Sequence, residues 1–130
     1  MPAKIMIVDD ALYMRTLLKK VLGGGPYELV EAANGREAVE RFPQEQPDLV
    51  LMDITMPEMD GISACRAICA AHATARIIIC SALGQQQMVI EALGAGAKDF
   101  ITKPFQPDQV LAAVARHLEE NDSEEVRRAA

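Results

Sequence analysis

The sequence predicts an α/β fold in which helices cover both faces of one parallel, five-stranded sheet. Five short apolar runs alternate along the chain with segments whose apolar residues recur at a spacing of three and four positions, as in amphipathic helices. The runs are apolar throughout, which is typical of strands buried on both faces of a parallel sheet. Strict alternation of strand and helix requires right-handed crossovers, and these place helices on both sides. We therefore expect a three-layer α/β sandwich.

Composition limits the size, the class and the partners of this chain. Its 130 residues, 50% of them hydrophobic and 25% charged, fit one soluble globular domain. A net charge of −6 argues against a nucleic-acid surface, which needs clustered Lys and Arg. No apolar run is long enough to span a bilayer and the start lacks a signal-peptide pattern, so we expect a cytoplasmic protein. We assign residues 1–120 to the domain and 121–130 to a frayed helix extension, a polar tail or a linker remnant.

The cysteines and histidines are expected to have no functional role. Three cysteines, an odd number, favour reduced thiols over a disulfide framework. Cys65 and Cys69 lie one helical turn apart, but no second pair of metal ligands follows, and Cys80 lies in an apolar run. We expect all three to be small buried hydrophobic residues. His72 and His117 are expected on the surface.

The first half of the chain begins with the strand Lys4–Val8, which ends in Asp9 and Asp10. The helix that follows has an apolar face formed by Met14, Leu17, Leu18, Val21 and Leu22. Gly23-Gly24-Gly25-Pro26 ends this helix, and we interpret it as a turn because the Gly-Lys-Ser/Thr of a phosphate-binding loop does not follow. Tyr27–Ala33 alternates like an edge strand.

The middle of the chain contains the strand on which the site prediction depends. A helix opens at Asn34-Gly35 and runs through Phe42, after which Pro43–Pro47 returns the chain to the sheet. The next strand, Leu49–Met52, is a short apolar run that ends abruptly in Asp53. After a loop, Asp60 is expected to cap a helix whose inner face consists of Ile62, Cys65, Ile68 and Cys69.

The last two units repeat the pattern. The strand Ile77–Cys80 ends in Ser81, and a helix from Gln85 to Leu93 follows. The strand Asp99–Thr102 ends in Lys103. The final helix is expected to turn four apolar residues inward: Val110, Leu111, Val114 and Leu118.

The polar residues that end these strands are Asp9, Asp10, Asp53, Ser81 and Lys103. In a parallel sheet all these strand ends lie at one edge, so the side chains must converge. Three carboxylates repel each other unless a cation joins them, and ligands that are all oxygen favour Mg²⁺ or a similarly hard ion. A lysine and a hydroxyl beside such a site suit a phosphoryl group, whose oxygens need charge neutralisation and hydrogen-bond donors.

These residues resemble the receiver domain of two-component response regulators. The likeness covers about Lys4 to Leu118, and its joint spacing is highly specific although each piece alone is weak. It implies a flavodoxin-like fold with the strand order 2-1-3-4-5. Met52–Met59 and Ser81–Gln86 resemble the stand-alone chemotaxis regulators of Gram-positive bacteria and Thermotoga. The motifs that carry the resemblance are Val8-Asp9-Asp10, Asp53-Ile54-Thr55-Met56-Pro57, Ser81-Ala82 and Lys103-Pro104-Phe105.

The resemblance implies a role for each residue of the cluster. Asp53 would be the phosphoacceptor, taking a phosphoryl group from the phosphohistidine of a CheA-type histidine kinase. Mg²⁺, or Mn²⁺ in its place, would be held by Asp9, Asp10, Asp53 and the backbone carbonyl of Thr55. Lys103 would pair with Asp53 and then with the phosphoryl oxygens, and a cis peptide would precede Pro104.

The resemblance also implies a switch rather than an enzyme with turnover. Ser81 would move onto the phosphoryl group and Phe100 would turn inward, changing the face formed by the fourth helix, the fifth strand and the fifth helix. A flagellar motor switch protein would bind this face. Thr55 and Leu83 occupy positions that tune the lifetime; Leu83 cannot orient a water, so we expect slow self-dephosphorylation and a separate phosphatase.

The partner surface is expected to include Gln86, Lys98, Phe100 and Gln109, on a monomer that contacts neither membrane nor nucleic acid. A flavin mononucleotide protein of this fold is disfavoured because Asp9 and Asp10 would repel its phosphate. A phosphatase with an aspartate nucleophile is disfavoured because such a nucleophile ends the first strand in an Asp-x-Asp pattern. The alternatives that remain are a phosphorelay protein and the isolated receiver of a DNA-binding response regulator.

Overall fold

The structure is a computed structural model that describes residues 2–129, with side-chain positions described for residues 2–120. Strands and helices alternate strictly, as the sequence predicts. They are β1 (Ala3–Val8), α1 (Leu12–Leu22), β2 (Tyr27–Ala32), α2 (Gly35–Glu45), β3 (Leu49–Asp53), α3 (Gly61–Ala71), β4 (Ile77–Ser81), α4 (Gln86–Gly94), β5 (Asp99–Thr102) and α5 (Pro107–Ala129).

The strands form one parallel sheet in the order β2-β1-β3-β4-β5, which confirms the predicted flavodoxin-like order. β1, β3 and β4 are therefore interior strands, and β2 is an edge strand, as its alternating sequence indicated. The register places Asp53 of β3 opposite Cys80 of β4, one residue before Ser81. Because every strand points the same way, all their carboxyl ends lie at one edge.

Two apolar cores lie on opposite faces of the sheet, which confirms the three-layer arrangement. The central strands alternate between them, since successive side chains of a strand point to opposite faces. Ile5, Ile7, Leu49 and Leu51 pack with α1 and α5. Met6, Val8, Val50 and Met52 pack with α2, α3 and α4. All eight are at most 1% exposed, so truncating one of the larger side chains to Ala would cost about 2–5 kcal/mol of stability.

Two helices begin where the sequence predicts, at Asn34 and at the expected cap Asp60. The side chain of Asn34 accepts a hydrogen bond of 2.8 Å from the Glu37 amide at the start of α2. Asp60 accepts one of 2.8 Å from the Ser63 amide at the start of α3. Each cap satisfies an amide that has no partner within its helix, which is typically worth about 1 kcal/mol.

The expected end of α2 at Phe42 was wrong, because the helix continues through Pro43 to Glu45. A proline has no amide to donate to the carbonyl one turn back, so α2 lacks that hydrogen bond close to its end. Phe42 anchors the turn because it is buried in the core. Gln46, in the left-handed conformation with φ 47°, then closes the helix by donating its amide to the Phe42 carbonyl at 2.8 Å.

The inward face of α5 also differs from the prediction. Leu111, expected to be buried, is 37% exposed, whereas Val110 and Val114 are 1% and 0% exposed. The buried residues of α5 lie three and four positions apart and are Val110, Ala113, Val114 and His117. Leu111 lies outside this stripe. His117, expected on the surface, is therefore only 4% exposed.

The other histidine and the cysteines lie as follows. His72 is half-buried rather than exposed, because its ring packs on Phe42 with a centroid distance of 4.6 Å. All three cysteines are free, as predicted; Cys65 and Cys80 are buried, and Cys69 is half-buried. Among the described residues, no helix is long and apolar enough to cross a membrane. The side chains of 121–130 lie outside the described residues, so the boundary at residue 120 stays a prediction.

Candidate functional site

The five predicted site residues meet at the carboxyl edge of the sheet. Asp9 and Asp10 follow β1, Asp53 ends β3, Ser81 ends β4 and Lys103 follows β5. One carboxylate oxygen from each aspartate lies within 4.8 Å of the others. Asp9, Asp53 and Ser81 are buried, whereas Asp10 is exposed. The convergence inferred from strand ends is therefore found in the structure.

Lys103 joins two of the three carboxylates. Its Nζ donates to Oδ1 of Asp53 at 2.8 Å and to Oδ2 of Asp9 at 3.1 Å. Its backbone amide donates to the Ser81 carbonyl at 2.7 Å, which continues the pairing of β4 with the chain beyond β5. The peptide bond between Lys103 and Pro104 is cis, as the resemblance implied.

Asp9 is held by bonds at both its side chain and its backbone. Its Oδ1 accepts the amide of Ala11 at 2.9 Å, and its carbonyl accepts Nη1 of Arg15 at 2.7 Å. Arg15 is itself fixed by Glu31, with Nε 3.0 Å from Oε1. Because these contacts use one side-chain oxygen and the carbonyl, Oδ2 of Asp9 remains directed toward Lys103.

The electrostatics of the cluster favour a bound cation. Burial raises the pKa of Asp53 above its ordinary value, the charge of Asp9 adds to this, and the Lys103 hydrogen bond opposes it. Burial would lower the pKa of Lys103, but its bond to Asp53 and the two carboxylate charges outweigh this and raise it. Lys103 is therefore charged at neutral pH. One ammonium faces three carboxylates, so the cluster stays under-neutralised.

The donor set fits a hard divalent ion. Asp9, Asp10 and Asp53 offer carboxylate oxygens only, without imidazole or thiolate, and such ligands suit Mg²⁺ or Mn²⁺ rather than Zn²⁺. The exposure of Asp10 leaves the cluster open to solvent on one side. An ion held there would share its coordination with water or with a phosphoryl oxygen.

The residues that surround the cluster lie where the sequence placed them. Thr55 and Leu83 are exposed on the loops after β3 and β4, Leu83 at 93%. Phe100 is 45% exposed and lies on the rim of a cavity of about 500 Å³. This cavity lies between α4, β5 and the loop before α4, and Ser81 and Lys103 line its inner end.

Gly61 is a residue of the site that sequence reasoning missed. Its amide donates to the Ile54 carbonyl at 2.7 Å, which turns the loop sharply after β3. A Cβ at this position would lie 1.9 Å from the carbonyl oxygen of Asp53, a distance that no side chain tolerates. The signal was a glycine directly after the Asp60 cap, but only the structure shows that it touches Asp53.

Gln85 is the second residue that was missed. Its Oε1 accepts the amide of Ala82 at 2.6 Å, and its Nε2 donates to the hydroxyl of Thr55 at 3.2 Å. The side chain therefore connects the loops that follow β3 and β4. No sequence signal marks it, because it is the first of three consecutive glutamines.

Comparisons with known proteins agree with this geometry. The profile of the response regulator receiver domain matches residues 5–115. The chemotaxis protein CheY of Bacillus subtilis is 57% identical over 91% of this chain and 99% of its own length. CheY of Thermotoga maritima is 56% identical over 88% of this chain and 96% of its own.

A solved structure shows the same likeness in three dimensions. It is a chain of the CheX–CheY–BeF3–Mg²⁺ complex from Borrelia burgdorferi, with a TM-score of 0.83 and 38% identity over 88% of this chain and 87% of that one. Since the family profile spans most of the sequence and the relatives match over nearly their whole length, the chain belongs to the response regulator receiver domain family, whose members act as phosphorylation-dependent signalling switches.

Proposed function

We propose that Asp53 is the phosphoacceptor of a chemotaxis signalling switch and receives its phosphoryl group from the phosphohistidine of a CheA-type kinase. The observation that carries this proposal is the contact of Asp53 with Lys103 inside a cluster of three carboxylates at the sheet edge. A buried carboxylate beside a fixed ammonium can approach a phosphoryl group whose negative oxygens are neutralised as it arrives.

The transfer is a displacement at phosphorus. An oxygen of Asp53 attacks in line, a P–O bond forms, and the bond from phosphorus to the imidazole nitrogen breaks, leaving a neutral histidine on the kinase once the ring has a proton. Lys103 and the Ser81 hydroxyl supply donors to the phosphoryl oxygens. Asp9, Asp10, Asp53 and the Thr55 carbonyl would hold Mg²⁺, which supplies neutralisation of the charge that develops on the phosphoryl oxygens.

The output would be a change of the face formed by α4, β5 and α5. Ser81 and Phe100 line the same cavity, so a Ser81 hydroxyl drawn toward the phosphoryl group leaves room into which the Phe100 ring turns. Gln86, Lys98, Phe100 and Gln109 are all exposed, as a docking surface requires. The names of the similar proteins favour a role in chemotaxis. We therefore propose a flagellar motor switch protein as the partner and the cytoplasm as the location.

Phosphorylation of purified protein tests the proposal. Incubation with a CheA-type kinase, Mg²⁺ and radiolabelled ATP should label the wild type up to one phosphoryl group per chain and leave Asp53→Asn unlabelled. Asp108→Asn, an exposed aspartate in the first turn of α5, is the control and should label normally. Full labelling of Asp53→Asn would contradict the assignment.

Partner binding tests the output. Beryllofluoride with Mg²⁺, a mimic of the phosphoryl group, should increase the affinity of the wild type for a motor switch protein and have a smaller effect on Phe100→Ala. Binding that does not respond to beryllofluoride would contradict a motor output. Passage of the label onward to a second histidine would favour the phosphorelay alternative instead.

A further inference from the structure

We propose that Gln85 is a positioning residue that fastens the two loops beside Asp53 in their resting conformation, and that its release accompanies phosphoryl binding. This inference rests on the proposed role of Asp53. The observation that carries it is the pair of hydrogen bonds from one carboxamide, to the Ala82 amide at 2.6 Å and to the Thr55 hydroxyl at 3.2 Å.

The orientation of the carboxamide follows from its partners. The backbone amide of Ala82 can only donate, so the atom of Gln85 that faces it must be the oxygen. The nitrogen then faces Thr55, whose hydroxyl oxygen can accept. Both bonds are satisfied in this orientation, whereas the flipped carboxamide would place two donors against each other at Ala82.

The contact to Thr55 distinguishes this arrangement from an ordinary turn. Gln85 also donates its own amide to the Ala82 carbonyl at 3.3 Å, so the bond to Ala82 alone would be a local cap of the turn before α4. Thr55, however, lies 30 residues earlier, in the loop that follows β3. The carboxamide therefore ties the loop that directly follows Asp53 to the loop that follows the neighbouring strand β4.

The two groups that Gln85 bonds, the Ala82 amide and the Thr55 hydroxyl, belong to residues close in sequence to the proposed site of phosphoryl transfer. Thr55 is two residues after Asp53, and Ala82 directly follows Ser81, whose strand pairs with that of Asp53. A phosphoryl group on Asp53 brings to this place oxygens that need hydrogen-bond donors. At rest the Ala82 amide is already used by Gln85, so the bond must break before the amide is available to another acceptor.

Gln85 also connects the loops to the proposed output face. Its carbonyl accepts the Val89 amide at 3.0 Å in the first turn of α4, so its backbone is continuous with that helix. Displacement of the carboxamide therefore frees Ala82 and, at the same time, releases the start of α4 from its bond to Thr55. A chain without this side chain should spend more time in the conformation that accepts a phosphoryl group.

The test compares Gln85→Ala with Gln87→Ala, an exposed glutamine two positions further along the same run. The probe is beryllofluoride in the presence of Mg²⁺, titrated against each protein. Gln85→Ala should bind about fivefold more tightly than wild type, the effect of losing about one net hydrogen bond from the resting state alone. Gln87→Ala should bind like the wild type. Gln85→Asn, too short to reach both partners, should change in the same direction as Gln85→Ala.

A double substitution provides a measurement that would not change if Gln85 had only a structural role. With Thr55→Val, the second bond is already lost, so adding Gln85→Ala should increase the affinity for beryllofluoride less than it does in the wild type. Unchanged or weaker binding by Gln85→Ala, while the wild type binds the mimic and labels at Asp53, would overturn the role of Gln85. Failure of the wild type itself to label at Asp53 would instead overturn the proposed function.

Discussion

At the scale of single residues, Asp53 is a carboxylate whose surroundings push its proton affinity in opposite directions. Burial and the charge of Asp9 raise its pKa, while the ammonium of Lys103 lowers it. The buried carboxylate is held close to a positive charge, and the neighbouring Asp10 is exposed to solvent. If Asp53 accepts a phosphoryl group as proposed, the carboxylate and its counter-charge are already in place, so we expect little reorganisation.

The residue most suited to control the lifetime of the phosphorylated state is Leu83. Its side chain is 93% exposed in the loop after β4, and as a hydrocarbon it cannot accept a proton from an attacking water. We expect Leu83→Glu to shorten the lifetime of the phosphorylated protein by about tenfold or more, because a carboxylate there can orient that water. The measurement is loss of radiolabel over time. Leu111→Glu, the same substitution at another exposed leucine, on α5, should leave the lifetime as it is. An unchanged lifetime in Leu83→Glu would contradict the idea.

At the scale of elements, the loop between β3 and α3 is built around the close approach of a helix start to the strand that ends in Asp53. Asp60 caps α3, and Gly61 then lies directly against the carbonyl of Asp53. The helix cap and Asp53 are therefore parts of one closely packed corner. Any side chain at Gly61 must displace the backbone of Asp53.

Gly61→Ala should consequently be destabilising. The added Cβ would lie 1.9 Å from the Asp53 carbonyl oxygen, and the overlap should cost about 1–3 kcal/mol of unfolding free energy. It should also slow phosphorylation, since Asp53 shifts with its backbone. Gly94→Ala is a matched control in α4, where an added Cβ meets nothing within 4 Å, and should be neutral or slightly stabilising. Urea unfolding measures the stability of both variants. Equal stability of Gly61→Ala and Gly94→Ala would show that the backbone around Gly61 moves aside at little cost, and would contradict the prediction.

A second pair of elements, β5 and α5, is joined by a partly buried polar contact. Nε2 of His117 lies 2.9 Å from Oδ2 of Asp99, and Arg116 bonds the same carboxylate. Burial alone would raise the pKa of Asp99, but the hydrogen bonds from His117 and from the Phe100 amide outweigh it and hold that pKa below its ordinary value. The contact fixes the strand that carries Phe100 to the helix behind it.

The lowered pKa of Asp99 gives the pH dependence of this contact a definite sign. The folded state holds the proton less tightly than the unfolded state, so the stabilisation is present above the ordinary aspartate pKa of about 3.9 and is lost as the pH falls through the folded value. Asp99→Asn should therefore lose about 1–2 kcal/mol at pH 7, and the difference from wild type should shrink below about pH 4. Urea unfolding at several pH values measures this, with Glu91→Gln, an exposed change on α4, as control. A difference that stays constant down to acid pH would contradict the role of the Asp99 charge.

At the scale of the whole molecule, one physical cause explains both which features could be predicted from the sequence and which could not. Periodicity and strand ends are local signals, and the parallel sheet converts them into long-range order, so the fold and the meeting of Asp9, Asp53 and Lys103 could be predicted. The burial of His117 could not, because it depends on which stripe of α5 faces the sheet. The bridge made by Gln85 could not either, because nothing local relates it to Thr55.

The charge of the whole cluster leads to a prediction about stability and metal. Three carboxylates face one ammonium only when the chain is folded, so a divalent cation should bind the folded state and raise its unfolding temperature. At a hundredfold excess over Kd the gain is about 2.7 kcal/mol.

Asp10→Ala removes an exposed ligand and one repelling charge, and should melt at a higher temperature than wild type without metal but gain less from Mg²⁺. Thermal melts with MgCl₂, compared with NaCl of the same ionic strength, separate binding from screening. Equal Mg²⁺-induced shifts in wild type and Asp10→Ala would contradict a metal site at this cluster, whereas a shift confined to wild type would place the ion on the oxygens that surround Asp53.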